Sequence, residues 1–180
     1  MTLTVLIVTG SIAAPNSVGL SALLKAVPDE KVAAVPTSSA RRFVAEDVLR
    51  FTGLADYVIT DDSENRGSAP NHMQFARASD AIVVFPASAG FIGRISNGLA
   101  NDVASCLLLA SYGKPRILFP SMNRDMWDNP LVQSNIAKLV DNGFVVYPTQ
   151  YGLAPSPDVA FEFLCSVHPH YKSSGGSREK

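Results

Sequence analysis

Charge is scarce in this chain of 180 residues: Asp, Glu, Lys and Arg together make up 17%, and the net charge is −1. That balance gives no electrostatic basis for binding nucleic acid or an anionic membrane surface. Cysteine is almost missing, with only Cys106 and Cys165, well apart in the sequence. Two isolated thiols make neither a disulfide framework nor a zinc site, and a reducing cytoplasm suits them. No apolar run approaches the length of a membrane span. The start, MTLTVLIVTG, lacks the basic segment and cleavage site of a signal peptide and reads as a first strand. There is no internal repeat, no G-x-G-x-x-G fingerprint and no Walker A lysine motif. The polar loop TDDSENRGSAPN at residues 60–71 has the length of a calcium loop. Counted from Asp62, however, it puts Met73 where the bidentate Glu belongs, so that reading fails.

What is present is apolar. Hydrophobic residues make up 47%, enough for a core, and the length suits one domain. Runs of strand length recur at residues 3–8, 31–36, 56–60, 81–85, 116–119 and 144–147. Most are continuously apolar rather than alternating, which marks strands covered on both faces, as in a parallel sheet. Helical patterns fill the intervals at residues 17–27, 40–51, 71–78, 92–112 (broken near Asn97-Gly98) and 131–142. This alternation predicts an α/β fold: a doubly wound, mostly parallel, Rossmann-like sheet with right-handed crossovers, one domain over residues 1–166. Residues 167–180 are poor in apolar side chains and predict a disordered tail, with His168 and His170 solvated rather than metal-bound. The low charge content also points to surface covered by partner subunits.

The residues that follow the strands form a pattern. Thr9-Gly10-Ser11 follows the first, Thr37-Ser38-Ser39 the second, PASAGF (Pro86 to Phe91) the fourth and PSMN (Pro120 to Asn123) the fifth. In doubly wound sheets ligands sit beyond these carboxyl ends. Singly, Gly, Ser and Thr after a strand are ordinary turn and cap residues. Three small, hydroxyl-bearing clusters on one edge predict more: an anion or nucleotide pocket in which backbone N–H groups and hydroxyls hold a phosphate without a lysine. Lacking a dinucleotide fingerprint, the pocket fits a flavin mononucleotide, its ring against Ala87, Ser88 and Ala89. His72 follows Asn71, which suits a helix N-cap. A cationic imidazole is disfavoured in the first turn of a helix, so His72 reads as neutral and able to act as a general base. A histidine that merely caps or packs there is the plainer alternative.

VLIVTGSIAA, NHMQFARASDAIVVFPASA, NGLANDVAS and PSMNRDMWDNP, in order over roughly residues 3–148, resemble the homo-oligomeric flavin-containing cysteine decarboxylases. That family includes phosphopantothenoylcysteine decarboxylase and the lantibiotic-type peptidyl-cysteine decarboxylases. The resemblance implies that His72 is the catalytic histidine. It implies that Asn123, also catalytic, binds the carboxylate end of the substrate with Met122 and Ser121. Pro86, Ala87, Ser88 and Ala89 would contact the flavin. Gly10, Ser11, Thr37, Ser38, Ser39 and Met122 would complete its site, and Gly98 would match a position of close packing beside it. The implied cofactor is FMN, with FAD as the alternative. The implied assembly is a trimer, or a dodecamer of four trimers, with flavin and substrate at the subunit interface. Met126 and Trp127 are expected to pack the PSMN loop down.

The chemistry implied follows electron flow. Loss of CO₂ from an ordinary α-carbon leaves an electron pair with nowhere to go. Oxidation of the cysteine side chain to a thioaldehyde places the carboxylate β to a C=S bond, and the pair can then pass to sulfur as an enethiolate. Relatives that make a thiol product reduce the enethiol with a cysteine in a Gly-rich loop near residue 150 and beyond. Here the region reads TQYGLAPSPDVAFEFLC, without such a loop, and Cys165 falls in a helical apolar pattern as a packing residue. The expected reaction is therefore FMN-dependent oxidative decarboxylation of the C-terminal cysteine of a ribosomal precursor peptide, giving an aminoenethiol for aminovinyl-cysteine formation. The alternatives are phosphopantothenoylcysteine decarboxylation in coenzyme A synthesis and a non-catalytic flavin-binding regulator. A flavin prenyltransferase would lack the P-x-M-N loop, and a flavodoxin-like electron carrier would leave His72 and PSMN unexplained. Gly90-Phe91 departs from the Asn-Thr of the family's loop, and Pro15-Asn16 from its first loop. Residues after Tyr151 are expected to form a flap over the peptide.

Overall fold

The computed structural model describes residues 1–63 and 71–174. Much of the polar loop at residues 60–71 and the end of the tail, residues 175–180, lie outside them. Among the described residues six strands form one parallel sheet: β1 (Thr2–Val8), β2 (Glu30–Pro36), β3 (Tyr57–Val58), β4 (Ala81–Ala87), β5 (Arg116–Pro120) and β6 (Val145–Val146). Their order across the sheet is β3-β2-β1-β4-β5-β6. From β1 the chain builds outward on one side, then restarts at β4 and builds outward on the other. The order reverses between β1 and β4, and a crevice opens there beyond the carboxyl ends.

β1 shows why the strand sequences are apolar throughout. Val5 and Ile7 enter a core shared with Ala76 of α3 (Asn71–Ala78), Ile92 of α4 (Ala89–Ser96), Leu107 of α5 (Val103–Ala110) and Leu139 of α7 (Pro130–Asp141). Leu6 and Val8 enter the opposite core with Leu20 of α1 (Asn16–Lys25), Leu49 of α2 (Glu46–Phe51) and Leu164 of α8 (Pro157–Val167). Alternate residues leave a strand on opposite sides, so covering both faces requires an unbroken apolar run. Each such side chain, fully buried, contributes about 1.5–3 kcal/mol.

Several elements depart from the sequence reading. The pattern at 92–112 does break where expected, into α4 and α5, because Gly98 takes φ +69° and Asp102 restarts the chain with a capping box, but α4 begins earlier, at Ala89. The pattern at 40–51 becomes a 3-10 turn, Ala40–Arg42, followed by α2. Of the stretch after Tyr151 expected to form a flap, only a short segment precedes α8, which starts where Ser156 accepts a hydrogen bond from Val159 N. α8 packs on α1, with Pro157 Cγ 2.8 Å from where a Cβ on Gly19 would stand.

Residues 167–171 are not disordered as composition predicts, for the chain stays packed as far as Tyr171; residues 175–180 of that expectation lie outside the described residues. The Tyr171 ring is fully buried, and its hydroxyl shares a 2.5 Å hydrogen bond with Thr4 Oγ1. Burial pushes its phenol well up from the ordinary value. His170 Nε2 lies 2.5 Å from Glu30 Oε2, so His170 is docked rather than solvated. Burial, with the neighbouring His170, lowers the pKa of His168. These contacts tie the segment to the amino end of the sheet, where one buried aromatic ring and its hydroxyl outweigh the polar composition around them. Among the described residues no cluster of His, Cys, Asp and Glu could hold a metal, and no helix is long and apolar enough to cross a membrane.

Candidate active site

Four loops meet at the carboxyl edge. Thr9 Oγ1 donates to Pro86 O at 2.8 Å and accepts from Ser88 N at 2.8 Å, joining the loops after β1 and β4. Ser11 Oγ and Ser121 Oγ are 2.6 Å apart, which ties in the loop after β5. Gly10 admits the loop after β2: a Cβ there would stand 2.6 Å from Ser39 Cβ, so only glycine allows that approach.

The loops enclose two adjoining compartments that share Gly10, Ser88 and Gly90. The larger, about 570 Å³, is walled by Ile12, Ala13, Ala89, Met122, Leu153 and Ala154, with Ser11, Ser121 and Asn123 as its polar points. The smaller, about 240 Å³, is lined by the hydroxyl-bearing residues Thr9, Thr37, Ser38 and Ser39 and by Arg94 and Asp102. Arg94 Nη1 donates to Asp102 Oδ2 and to Asn101 Oδ1, both at 2.7 Å. Asp102 Oδ1 accepts from Ser105 N at 2.8 Å and from Ser105 Oγ at 2.5 Å. Burial raises the pKa of Asp102, but the Ser105 and Arg94 hydrogen bonds together outweigh it and hold the carboxyl below its ordinary value.

Asn123 is the N-cap of α6 (Arg124–Trp127), its Oδ1 accepting from Met126 N at 2.8 Å. That bond fixes the amide and leaves the NH₂ end for another partner. Met122 N donates to Gly152 O at 2.8 Å. Gly152, at φ +73°, lies against Trp127, whose Cβ is 2.7 Å from where a glycine Cβ would stand. Trp127 thus packs the loop down as expected. Met126 does not: it is exposed and lines the larger compartment.

The structure gathers most of the expected residues, though not all of them. Gly10, Ser11, Thr37, Ser38, Ser39, Ser88, Ala89, Ser121, Met122 and Asn123 line one compartment or the other. Pro86 and Ala87 lie buried in β4 beneath them. Gly98 lies elsewhere, at a separate cavity with Arg116 and Lys138. Open space surrounds the position of its missing Cβ, so its positive φ, not close packing, calls for glycine. His72 is in the first turn of α3, partly buried, and lines neither compartment. Its neighbour Asn71 donates to Ser63 O, just past the carboxyl end of β3. Cys165 is at the opposite edge: its thiol donates to Tyr171 O at 3.3 Å, and burial pushes its pKa up. Cys106, expected to be buried, is only partly so. The sequence reading missed Ile12, Ala13, Arg94, Asp102, Leu153 and Ala154 as lining residues. Two signals could have located Asp102: the capping box with Ser105 and its place in the family-like stretch NGLANDVAS.

A family model described as Flavoprotein matches residues 2–167. The Coenzyme A biosynthesis bifunctional protein CoaBC of Bacillus subtilis is 37% identical over 142 residues, 77% of this chain, which spans only 34% of that protein's length. Epidermin decarboxylase of Staphylococcus epidermidis is 33% identical over 128 residues, 71% of this chain and 63% of its own length. The crystal structure of the FMN-dependent cysteine decarboxylase TvaF, from thioviridamide biosynthesis, matches with a TM-score of 0.81 at 26% identity, covering 96% of this chain and 99% of that one.

Proposed function

The chain belongs to the Flavoprotein family, and on that premise we propose that it binds FMN and oxidatively decarboxylates the C-terminal cysteine of a ribosomal precursor peptide, releasing an aminoenethiol. The residues at the carboxyl edge fit FMN. The hydroxyl-lined compartment with Arg94 suits a phosphate, and the apolar compartment suits a flat ring system. Their volumes fall in the range of small-molecule sites, about 300–1,000 Å³ in all. Bound FMN would supply a two-electron acceptor.

The chain's own residues do the rest. Asn123, its amide aimed by the α6 cap, offers N–H donors to the substrate carboxylate. An amide holds that group without the full ion pair that would oppose loss of CO₂. His72 takes the thiol proton. Because His72 lines neither compartment of its own chain, this role calls for a second copy. We place the site at the interface of a homo-oligomer, a trimer or a dodecamer, in the cytoplasm. Ile12 and Leu153, 89% and 62% exposed at the larger compartment, support a covered mouth there.

One observation carries the peptidyl reading over the coenzyme A reading. Neither cysteine lines the cavity, and Cys165 is held at the far edge of the sheet. With no thiol to return electrons, the enethiol is the end product. The similarity to CoaBC favours the rival, phosphopantothenoylcysteine decarboxylation. Mass spectrometry on both substrates separates them. Loss of CO₂ plus two hydrogens from a synthetic peptide ending in cysteine is expected. Loss of CO₂ alone from the pantothenoyl substrate, with the peptide untouched, would overturn the proposal.

A further inference from the structure

The cavity beside Gly98 lies at the amino edge of the sheet, across from the candidate site. Its volume is about 250 Å³, the room of about eight water molecules. The ends of α4, α5 and α7 surround it. Ile95, Leu109, Leu139 and Phe144 form its apolar wall, and Arg116 and Lys138 are its two cations. Arg116 opens β5 and is only 7% exposed. A guanidinium has five N–H donors. Among the described residues Arg116 makes one hydrogen bond, from Nη2 to Asn142 O at 2.8 Å. Its Nε is buried with no partner. No carboxylate among the described residues forms an ion pair with it, not even Asp141 in the adjoining hollow. The Phe144 ring, 4.1 Å from the guanidinium carbon, and the Asn142 carbonyl offset part of the cost of burying this charge. The rest is unmet, and burial lowers the pKa of the group.

We infer that this cavity is a second ligand site, binding a small carboxylate with a short apolar body: the oxygens meet Arg116 and Lys138, and the body lies along the apolar wall. The guanidinium plane is already set by Asn142 O and by the face of Phe144, so an anion meets an oriented fork rather than a mobile side chain. Lys138 Nζ donates to Asn97 Oδ1 at 3.2 Å, which leaves two of an ammonium's three donors for the ligand. The volume is too small for a nucleotide, and the apolar wall favours a carbon body over a bare inorganic anion. The cavity shares no residue with the two compartments at the carboxyl edge, so the inference stands apart from the flavin reading.

The test is calorimetric titration of the full-length protein with benzoate and with benzamide, its uncharged counterpart. Asn123→Asp serves as the parent, because it removes the proposed carboxylate donor of the candidate active site. It should bind one benzoate per subunit with a Kd of about 1 mM or tighter, and benzamide at least about tenfold more weakly. Adding Arg116→Met should weaken benzoate about ten- to hundredfold, the loss of charge-assisted hydrogen bonds from a buried group. Should Arg116→Met fold poorly, Lys138→Met leaves the buried residue in place and should weaken benzoate about three- to tenfold, with benzamide unchanged. Absence of benzoate binding, equal affinity for benzamide, or benzoate affinity unchanged by these substitutions overturns the inference. None of these results bears on flavin binding or on release of CO₂, which are read separately.

Discussion

At the scale of single residues, Asn123 does two jobs that a substitution can separate. Its Oδ1 caps α6, and its NH₂ end is the proposed carboxylate donor. Asn123→Asp keeps an acceptor for the cap, and Asp and Asn cap about equally well. It replaces the donor by a negative charge facing the substrate carboxylate. Thermal stability should stay within about 0.5 kcal/mol of wild type, while kcat/KM falls at least about a hundredfold; steady-state kinetics beside a melting curve reads both. His72→Asn should abolish CO₂ release while flavin stays bound, measured by CO₂ evolution and flavin absorbance; unchanged turnover would remove His72 from the mechanism. Gly10→Ala should loosen flavin binding, because the added Cβ would meet Ser39 Cβ at 2.6 Å and push the hydroxyl loop away.

The elements show what a sequence can disclose and what it hides. β1, β2, β4 and β5 were legible because strands buried on both faces must be apolar throughout. α3 was legible because Asn71 and the pattern after it announce a helix start. β3 and β6 are two-residue ladders, so most of each apolar run there is not strand. α8 was legible only around Cys165, which falls in a helical apolar pattern; its start lay in a stretch expected to form a flap, although Ser156-Pro157 is itself a helix-start signal. Arg94 and Asp102 meet only because the chain breaks at Gly98, and no local motif encodes that return. The Asp102 cap has a pH signature. The carboxyl is held below its ordinary value of 3.8 in the folded state. Its contribution is therefore fully present above that value and is lost as pH falls through the folded pKa. Melting temperatures recorded from about pH 5 to pH 2 should fall less steeply for Asp102→Asn than for wild type.

Across the whole molecule, the two edges of the sheet have separate work. The carboxyl edge gathers the loops of the site. The amino edge anchors the C-terminal segment through Tyr171, His170 and Glu30, and it holds Cys165 away from the candidate site. Tyr171→Ala should cost about 3–5 kcal/mol of stability by leaving a cavity under that segment, read by denaturant unfolding, with flavin affinity unchanged. The chain's low charge and its exposed Ile12 and Leu153 are what the proposed assembly, in which a second copy would supply His72, calls for. The account turns on a substrate thiol giving up two electrons at the carboxyl edge before CO₂ leaves. Anaerobic mixing of the flavin-loaded protein with a stoichiometric peptide ending in cysteine tests this directly. Bleaching of the visible flavin absorbance, matched by CO₂ release, is the predicted result. Release of CO₂ with the absorbance still unbleached once turnover is complete would contradict it.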